Sequence, residues 1–320
     1  MVKNSSLGTG YFGKKHMLYE SRRVRELEVN GVIVVNKPSG ITSQDVVTAI
    51  RKCLQIKSVG HAGTLDPLAC GVLPILVSKG TRISKYLIDH DKEYIATLRL
   101  GAQTDTGDIT GQVVEEKDVP NSALDEENVK DILESFLGKQ AQIPPMYSAI
   151  KVNGKKLYEY ARMGEKVEVE PREIYISNIE LLNLDVEVKE IQFKVGCSKG
   201  TYVRTLCEDI AKELGTVGTM SALTRTRAGE FTLEQSIELD ELVKLSKDDI
   251  VNNHFVDIET AFKSTEAICL KSDNELKLFM NGMMLIRKKA NNVYRIYDKD
   301  DKFIGLGIVQ NNILKRDVVL

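Results

Sequence analysis

The sequence predicts a mixed α/β protein that ends in a small β-rich module, and three observations carry that expectation. β-Branched or alternating stretches recur between segments whose apolar residues fall at helical spacing. Clusters of Gly, Pro, Asn and Asp punctuate these segments as turns. Residues 266 to 320 hold only short alternating runs (Ala267 to Leu270, Val293 to Tyr297, Phe303 to Val309), separated by Asn-Asn, Asp-Lys-Asp-Asp and Gly signals.

Residues 1 to 28 are polar and without convincing periodicity, and read as an extension with Lys14, Lys15, Arg22, Arg23 and Arg25 inside it. Gly8 to Gly13 matches Gly-x-Gly-x-x-Gly, but no strand precedes it and no helix follows, so the match is chance. Val32 to Val35 predict a strand that stops at Asn36-Lys37-Pro38-Ser39-Gly40. Thr42 or Ser43 then caps a helix whose apolar face is Val46, Val47, Ile50 and Leu54. A loop dense in Gly, His and Asp runs from Gly60 to Gly71, followed by a strand over Val72 to Val77, a short helix from Thr81 and a half-buried strand over Tyr94 to Leu100. Asp105 to Gly111 has an acidic look but lacks the ligand spacing of a calcium loop, and reads as a polar loop.

Val129, Ile132, Leu133 and Phe136 mark a helix that ends near Gly138, and Pro144 and Pro145 break the chain before Tyr147 to Val152. Residues 153 to 171 mix basic side chains with Tyr158 and Tyr160, a composition suited to gripping phosphates and exposed bases. Strands are expected over Ile174 to Leu184 and Ile191 to Cys197, then a helix from near Thr201 to Leu214 with Gly215 as its stop. After Arg227 come a strand and a helix around Ile237 to Leu245. A polar junction near 246 to 265 divides a large unit, 29 to 250, from the module at 266 to 320.

Composition excludes some classes of function. The net charge of −2 argues against a protein that coats nucleic acid by global attraction, so RNA contact requires local patches such as Lys151, Lys155, Lys156, Arg162, Lys166 and Arg172. No apolar run approaches a membrane span, and the start lacks the pattern of a secretory signal. The five cysteines are scattered and unpaired in spacing, as in reduced cytosolic thiols, so a cytoplasmic protein without a metal site is expected. Taken singly, Asp66 before Pro67 is a common turn start, His61 a loop histidine, Arg204 a helix-surface charge and Tyr94 a strand tyrosine.

Together these residues are not generic. Asn30 to Ser43, Gly60-His-Ala-Gly-Thr-Leu-Asp-Pro-Leu-Ala-Cys-Gly-Val-Leu-Pro74, Lys92-Glu93-Tyr94, Gln142 to Ala161, Cys197-Ser-Lys-Gly-Thr-Tyr-Val-Arg-Thr205 and Ser221 to Thr226 occur in order. In these motifs the chain resembles the TruB family of tRNA pseudouridine-55 synthases along nearly everything after residue 30. The resemblance implies an α+β catalytic domain on a central, largely antiparallel sheet, an RNA-clamping insertion at about 142 to 171, and a PUA-like C-terminal domain.

It also implies roles. Asp66 would be the nucleophile in isomerising a uridine flipped out of the tRNA T arm, a reaction that needs no cofactor or metal. Arg204 would pair with Asp66, and Tyr94 would stack on the base and remove the carbon-bound proton. His61 would fill the space the base vacates, Tyr202 and Leu223 would line the pocket, and Lys37 and Arg82 would lie near the loop or phosphates. A monomer acting without guide RNA or protein partner is expected. The competing readings are a guide-dependent enzyme of the dyskerin branch and a noncatalytic protein that binds or folds RNA.

Overall fold

The computed structural model describes residues 29–165 and 167–320; the extension of residues 1 to 28 and Lys166 lie outside the described residues. Strand β1 (Gly31–Lys37) is a continuous β-branched run because both of its faces are buried. Ile33 and Val35 enter one core, Val32 and Val34 another. Helix α1 (Ser43–Leu54) begins at Thr42, which accepts from the Asp45 amide at 3.1 Å while the Asp45 carboxylate accepts from the Thr42 amide at 2.8 Å. It buries Val46, Val47, Ile50 and Leu54, each worth about 1.5–3 kcal/mol of transfer free energy. β2 (Val59–His61) and β3 (Cys70–Val77) follow, β3 running antiparallel to β1.

A short 3₁₀ turn (Ser78–Ile83) and α2 (Ser84–Ile88) lead into β4 (Lys92–Leu100), whose alternation buries every second residue. β5 (Ala102–Thr104) and β6 (Val113–Glu116) form a hairpin around the Asp105–Gly111 loop. Then come α3 (Glu126–Ser135) and β7 (Gly138–Gln142). The insertion holds a minimal hairpin, β8 (Lys151–Val152) and β9 (Lys155–Lys156), turned by Asn153 and Gly154 at φ 50 and 84, and a short α4 (Leu157–Arg162). β10 (Arg172–Asp185), β11 (Glu190–Cys197), α5 (Val203–Glu213) and β12 (Gly218–Ala228) complete the centre of the sheet.

The main sheet runs β14-β1-β3-β12-β4-β11-β10-β7, where β14 is Ile237–Glu238, with β2, β13 (Phe231–Thr232) and β15 (Phe255–Asp257) at its margins. All its pairings are antiparallel except β1 with β14 and β3 with β12, so the largely antiparallel sheet implied by the resemblance is present. One core joins α1, α3 and α5 to one face of the sheet.

The region after β12 departs from the expectation. The helix foreseen over Ile237 to Leu245 is reduced to α6 (Leu239–Leu242), because Ile237 is taken into the sheet. The polar junction at 246 to 265 is ordered: it forms α7 (Lys247–Asn253), β15 and α8 (Ile258–Ala261). β15 pairs antiparallel with β1, and Ile258, Ala261 and Phe262 are buried against the second core. Elements this short bury too few residues to stand out from a polar background.

The C-terminal module contains β16 (Ala267–Cys269), α9 (Asp273–Met280), β17 (Leu285–Ile286), β18 (Asn292–Tyr297), β19 (Phe303–Gln310) and β20 (Ile313–Val319). Its five-stranded sheet runs β16-β18-β19-β20-β17. It has its own core, yet Leu306 and Val318 pack with Ile83 and Leu87 of the larger unit. Asp317 accepts from Lys85 at 2.6 Å and from the Tyr86 hydroxyl, which ties the module to α2. Among the described residues no helix is long and apolar enough to cross a membrane.

Candidate active site

The Gly60–Gly71 segment crosses from β2 to β3, and its main chain is held at nearly every residue. Lys37 is fully buried beneath it and donates to the carbonyls of Pro38 at 2.9 Å, Pro67 at 3.3 Å and Ala69 at 2.7 Å. The Ser43 hydroxyl accepts from the Leu65 amide at 2.9 Å and donates to the Leu65 carbonyl at 3.0 Å. Ser39 donates to the Leu68 carbonyl at 2.7 Å, the Gly40 amide donates to the Pro67 carbonyl at 2.8 Å, and Arg225 donates to the Gly63 carbonyl at 3.0 Å. Gly63 has φ +89, a backbone conformation that excludes a side chain there at low cost. The result is a loop that presents Asp66 in one position.

Arg204, in the first turn of α5, meets that carboxylate. Its Nε lies 2.9 Å from Asp66 Oδ2, Nη1 donates to the Thr106 carbonyl at 2.8 Å and Nη2 to the Tyr147 carbonyl at 3.0 Å. One planar fork therefore joins three loops, which an ammonium could not do. The Arg204 side chain is 6% exposed and that of Asp66 37%, so the cation is locked in while the carboxylate still faces solvent. Gln142 aligns the start of the helix by accepting from the Tyr202 amide at 2.8 Å and donating to the Tyr202 carbonyl at 3.0 Å.

Asp66 and Arg204 open onto a cleft of about 690 Å³. Of the residues singled out from the sequence, Asp66, Tyr94, Tyr202, Arg204 and Leu223 line it together. Burial pushes the Tyr94 phenol above its ordinary value, and the Arg225 charge opposes the rise. Burial lowers the Lys92 ammonium to about 8, with the Arg225 charge adding to the shift, and its Nζ donates to the Ile88 and His90 carbonyls.

One expectation is corrected, and two of the expected residues lie outside the cleft lining. Lys37 cannot meet phosphate, because it is enclosed and spent on the carbonyls under the Asp66 loop. Burial also lowers its ammonium pKa. Arg82 is exposed on the 3₁₀ turn, outside the cleft lining. His61 ends β2, half-buried and outside the lining, with Nδ1 enclosed and unpartnered; burial, then the Arg225 charge, lowers its pKa.

Sequence reasoning missed Arg225, Lys92 and Tyr147. Arg225 lies two residues beyond Leu223 on one strand, hence on the same face, and that spacing was the available signal. The Asp105–Gly111 loop, read as merely polar, supplies the Thr106 carbonyl to Arg204. Lys37→Met should cost about 1–3 kcal/mol by stranding buried carbonyls, seen as a lower urea midpoint at unchanged slope. An unchanged midpoint would contradict the structural role given to Lys37.

A largely antiparallel sheet holds an arginine-paired carboxylate in an open cleft and is followed by a small β domain, and the sequence matches that accompany this arrangement are to pseudouridine synthases, which are isomerases. The model of the TruB family pseudouridylate synthase N-terminal domain matches residues 51–203, and that of the tRNA pseudouridylate synthase B C-terminal domain matches residues 204–263. The chain is 44% identical over 298 residues to tRNA pseudouridine synthase B of Clostridium novyi (strain NT), covering 91% of this chain and 100% of that relative. It is 45% identical over 285 residues to the protein of the same name from Clostridium tetani (strain Massachusetts / E88), covering 87% and 95%. Among solved structures, a chain of a Cbf5–Nop10–Gar1 complex superposes with a TM-score of 0.66 at 27% identity, covering 88% of this chain and 78% of that one. The chain belongs to the TruB family of pseudouridylate synthases.

Proposed function

We propose that this enzyme is a cytoplasmic tRNA pseudouridine-55 synthase that acts without a guide RNA, with Asp66 as its nucleophile. The observation that carries the reading is the Asp66–Arg204 pair, in which a buried guanidinium orients a carboxylate that a pyrimidine can still reach. The uridine leaves its stack at a cost of a few kcal/mol, about what contacts in the cleft can return. Tyr94 stacks on the base, Tyr202 and Leu223 wall the site, and His61 takes the space left in the T arm. Asp66 bonds covalently to the nucleotide while the glycosidic bond moves from nitrogen to carbon, and Tyr94 accepts the hydrogen from that carbon.

The insertion at 142 to 171 is the proposed clamp on the arm. Lys155 lies 5.6 Å from the Tyr160 ring centroid, and Lys156 and Arg162 each 5.3 Å from that of Tyr158, so cations and aromatic faces are interleaved. Deleting residues 153 to 171 should weaken tRNA binding and flatten its salt dependence by about 0.7–0.9 log unit per lost phosphate contact. An unchanged slope would remove the clamp.

The likeness to the Cbf5–Nop10–Gar1 complex favours a second, guide-dependent reading. Identity along the full length of the C. novyi relative weighs against it. Purified protein incubated with unmodified tRNA transcript and nothing else should form pseudouridine at the T-loop position. Product only on adding guide RNA, or binding without product, would select the other readings.

A further inference from the structure

Arg225 is the largest fully buried side chain among the described residues, at 1% exposure, yet it forms no ion pair among them. Enclosing a cation without a carboxylate is costly, and Lys37, His61 and Lys92 each feel its charge, which adds to the cost. Its hydrogen bonds are to neutral partners: Nε donates to the Val72 carbonyl at 2.7 Å and Nη2 to the Gly63 carbonyl at 3.0 Å. Arg225 and Tyr94 are direct cross-strand partners of β12 and β4, with side chains on one face, and both line the cleft. Anchoring carbonyls alone does not call for a permanent charge. A phenol that must become anionic does.

We propose that Arg225 is a positioning residue for the proton-transfer step, holding the Tyr94 oxygen in place and supporting it as an anion while it takes the hydrogen from the base. This rests on the reading of Tyr94 as the proton acceptor. After the new bond from C1′ to C5 has formed, C5 carries both the ribose and its original hydrogen, and the ring holds an N1=C6 double bond. The Tyr94 phenolate takes the proton, the C–H electron pair becomes the C5=C6 bond, and the N1=C6 pair moves onto N1, which is protonated from solvent. Tyr94 then returns its proton to solvent, so the overall reaction is an isomerisation. Four charged or titratable groups lie about the phenol: Arg225 from β12, Lys92 two residues earlier on the same face of β4, Asp66 from its loop and Cys197 from β11. The Asp66 carboxylate disfavours the phenolate and Arg225 opposes it, while burial raises the Cys197 thiol to about 11 and so keeps it uncharged near neutral pH.

The test uses the full chain and tRNA bearing hydrogen or deuterium at C5 of the target uridine. Arg225→Gln should lower kcat by about tenfold or more, with KM within about threefold, since general-base assistance is worth 10²- to 10⁴-fold in all. The acidic limb of kcat should move to higher pH and the deuterium isotope effect should rise above that of the wild type. Arg225→Lys, which keeps the charge, should recover part of both. If the Gln variant fails to fold, the Lys variant is read by the same two measures, with a smaller displacement expected in each. A slow variant with the wild-type isotope effect and pH limb would reduce Arg225 to a scaffold and overturn the inference. Full turnover by Tyr94→Phe would instead defeat the underlying reading of Tyr94, which keeps the two failures distinct.

Discussion

Asp66→Asn is expected to leave no measurable isomerisation, a loss of at least about 10⁴-fold, while tRNA affinity stays within a few-fold of the wild type. The amide has the shape of the carboxylate and can still accept from Arg204 Nε, so the loop held by Lys37, Ser43 and Arg225 has no reason to move. What disappears is an anionic oxygen able to bond to carbon. Single-turnover pseudouridine mapping beside a filter-binding titration separates the two quantities. Retained turnover would remove Asp66 from the chemistry, and a parallel collapse of affinity would mean that it serves binding.

The second large effect is expected at Arg204. Replacement by Gln should lower kcat by about 10²- to 10³-fold, the range seen when one preorganised electrostatic partner is removed from an active site. Arg204→Lys should fall almost as far, because an ammonium on a flexible stem cannot reach Asp66 and the Thr106 and Tyr147 carbonyls together. Both variants should also lower the urea midpoint, since two partly buried carbonyls lose their donor at a cost of up to about 1–3 kcal/mol. Wild-type kcat in the lysine variant would show that charge alone suffices and that the three-way fork has no bearing on rate.

Arg204 also shows why the site was only partly legible. Its place in the first turn of a helix followed from periodicity and from the Gly215 stop, and its pairing with Asp66 was implied by resemblance. That the same guanidinium reaches Thr106 and Tyr147 depends on two loops far apart in sequence. Lys37 misled for a related reason. A lysine in a turn reads as solvated, and only the path of the Asp66 loop overhead turns it into a buried donor. Arg225 was overlooked because a strand pattern reports which face a residue takes but not its neighbour across the ladder.

What the amino-acid order determined by itself was the alternation of strands and helices, the turn and cap positions, and the ordered motifs that contain Asp66, Tyr94 and Arg204. These depend on contacts within a few residues, where the periods of helix and strand act directly. The tertiary structure alone decided which charges are enclosed, that the stretch after residue 246 completes the edge of the sheet through β15, and that Arg225 lies against Tyr94. Each of those outcomes depends on strand register and on burial, which arise only when distant segments exclude water from one another.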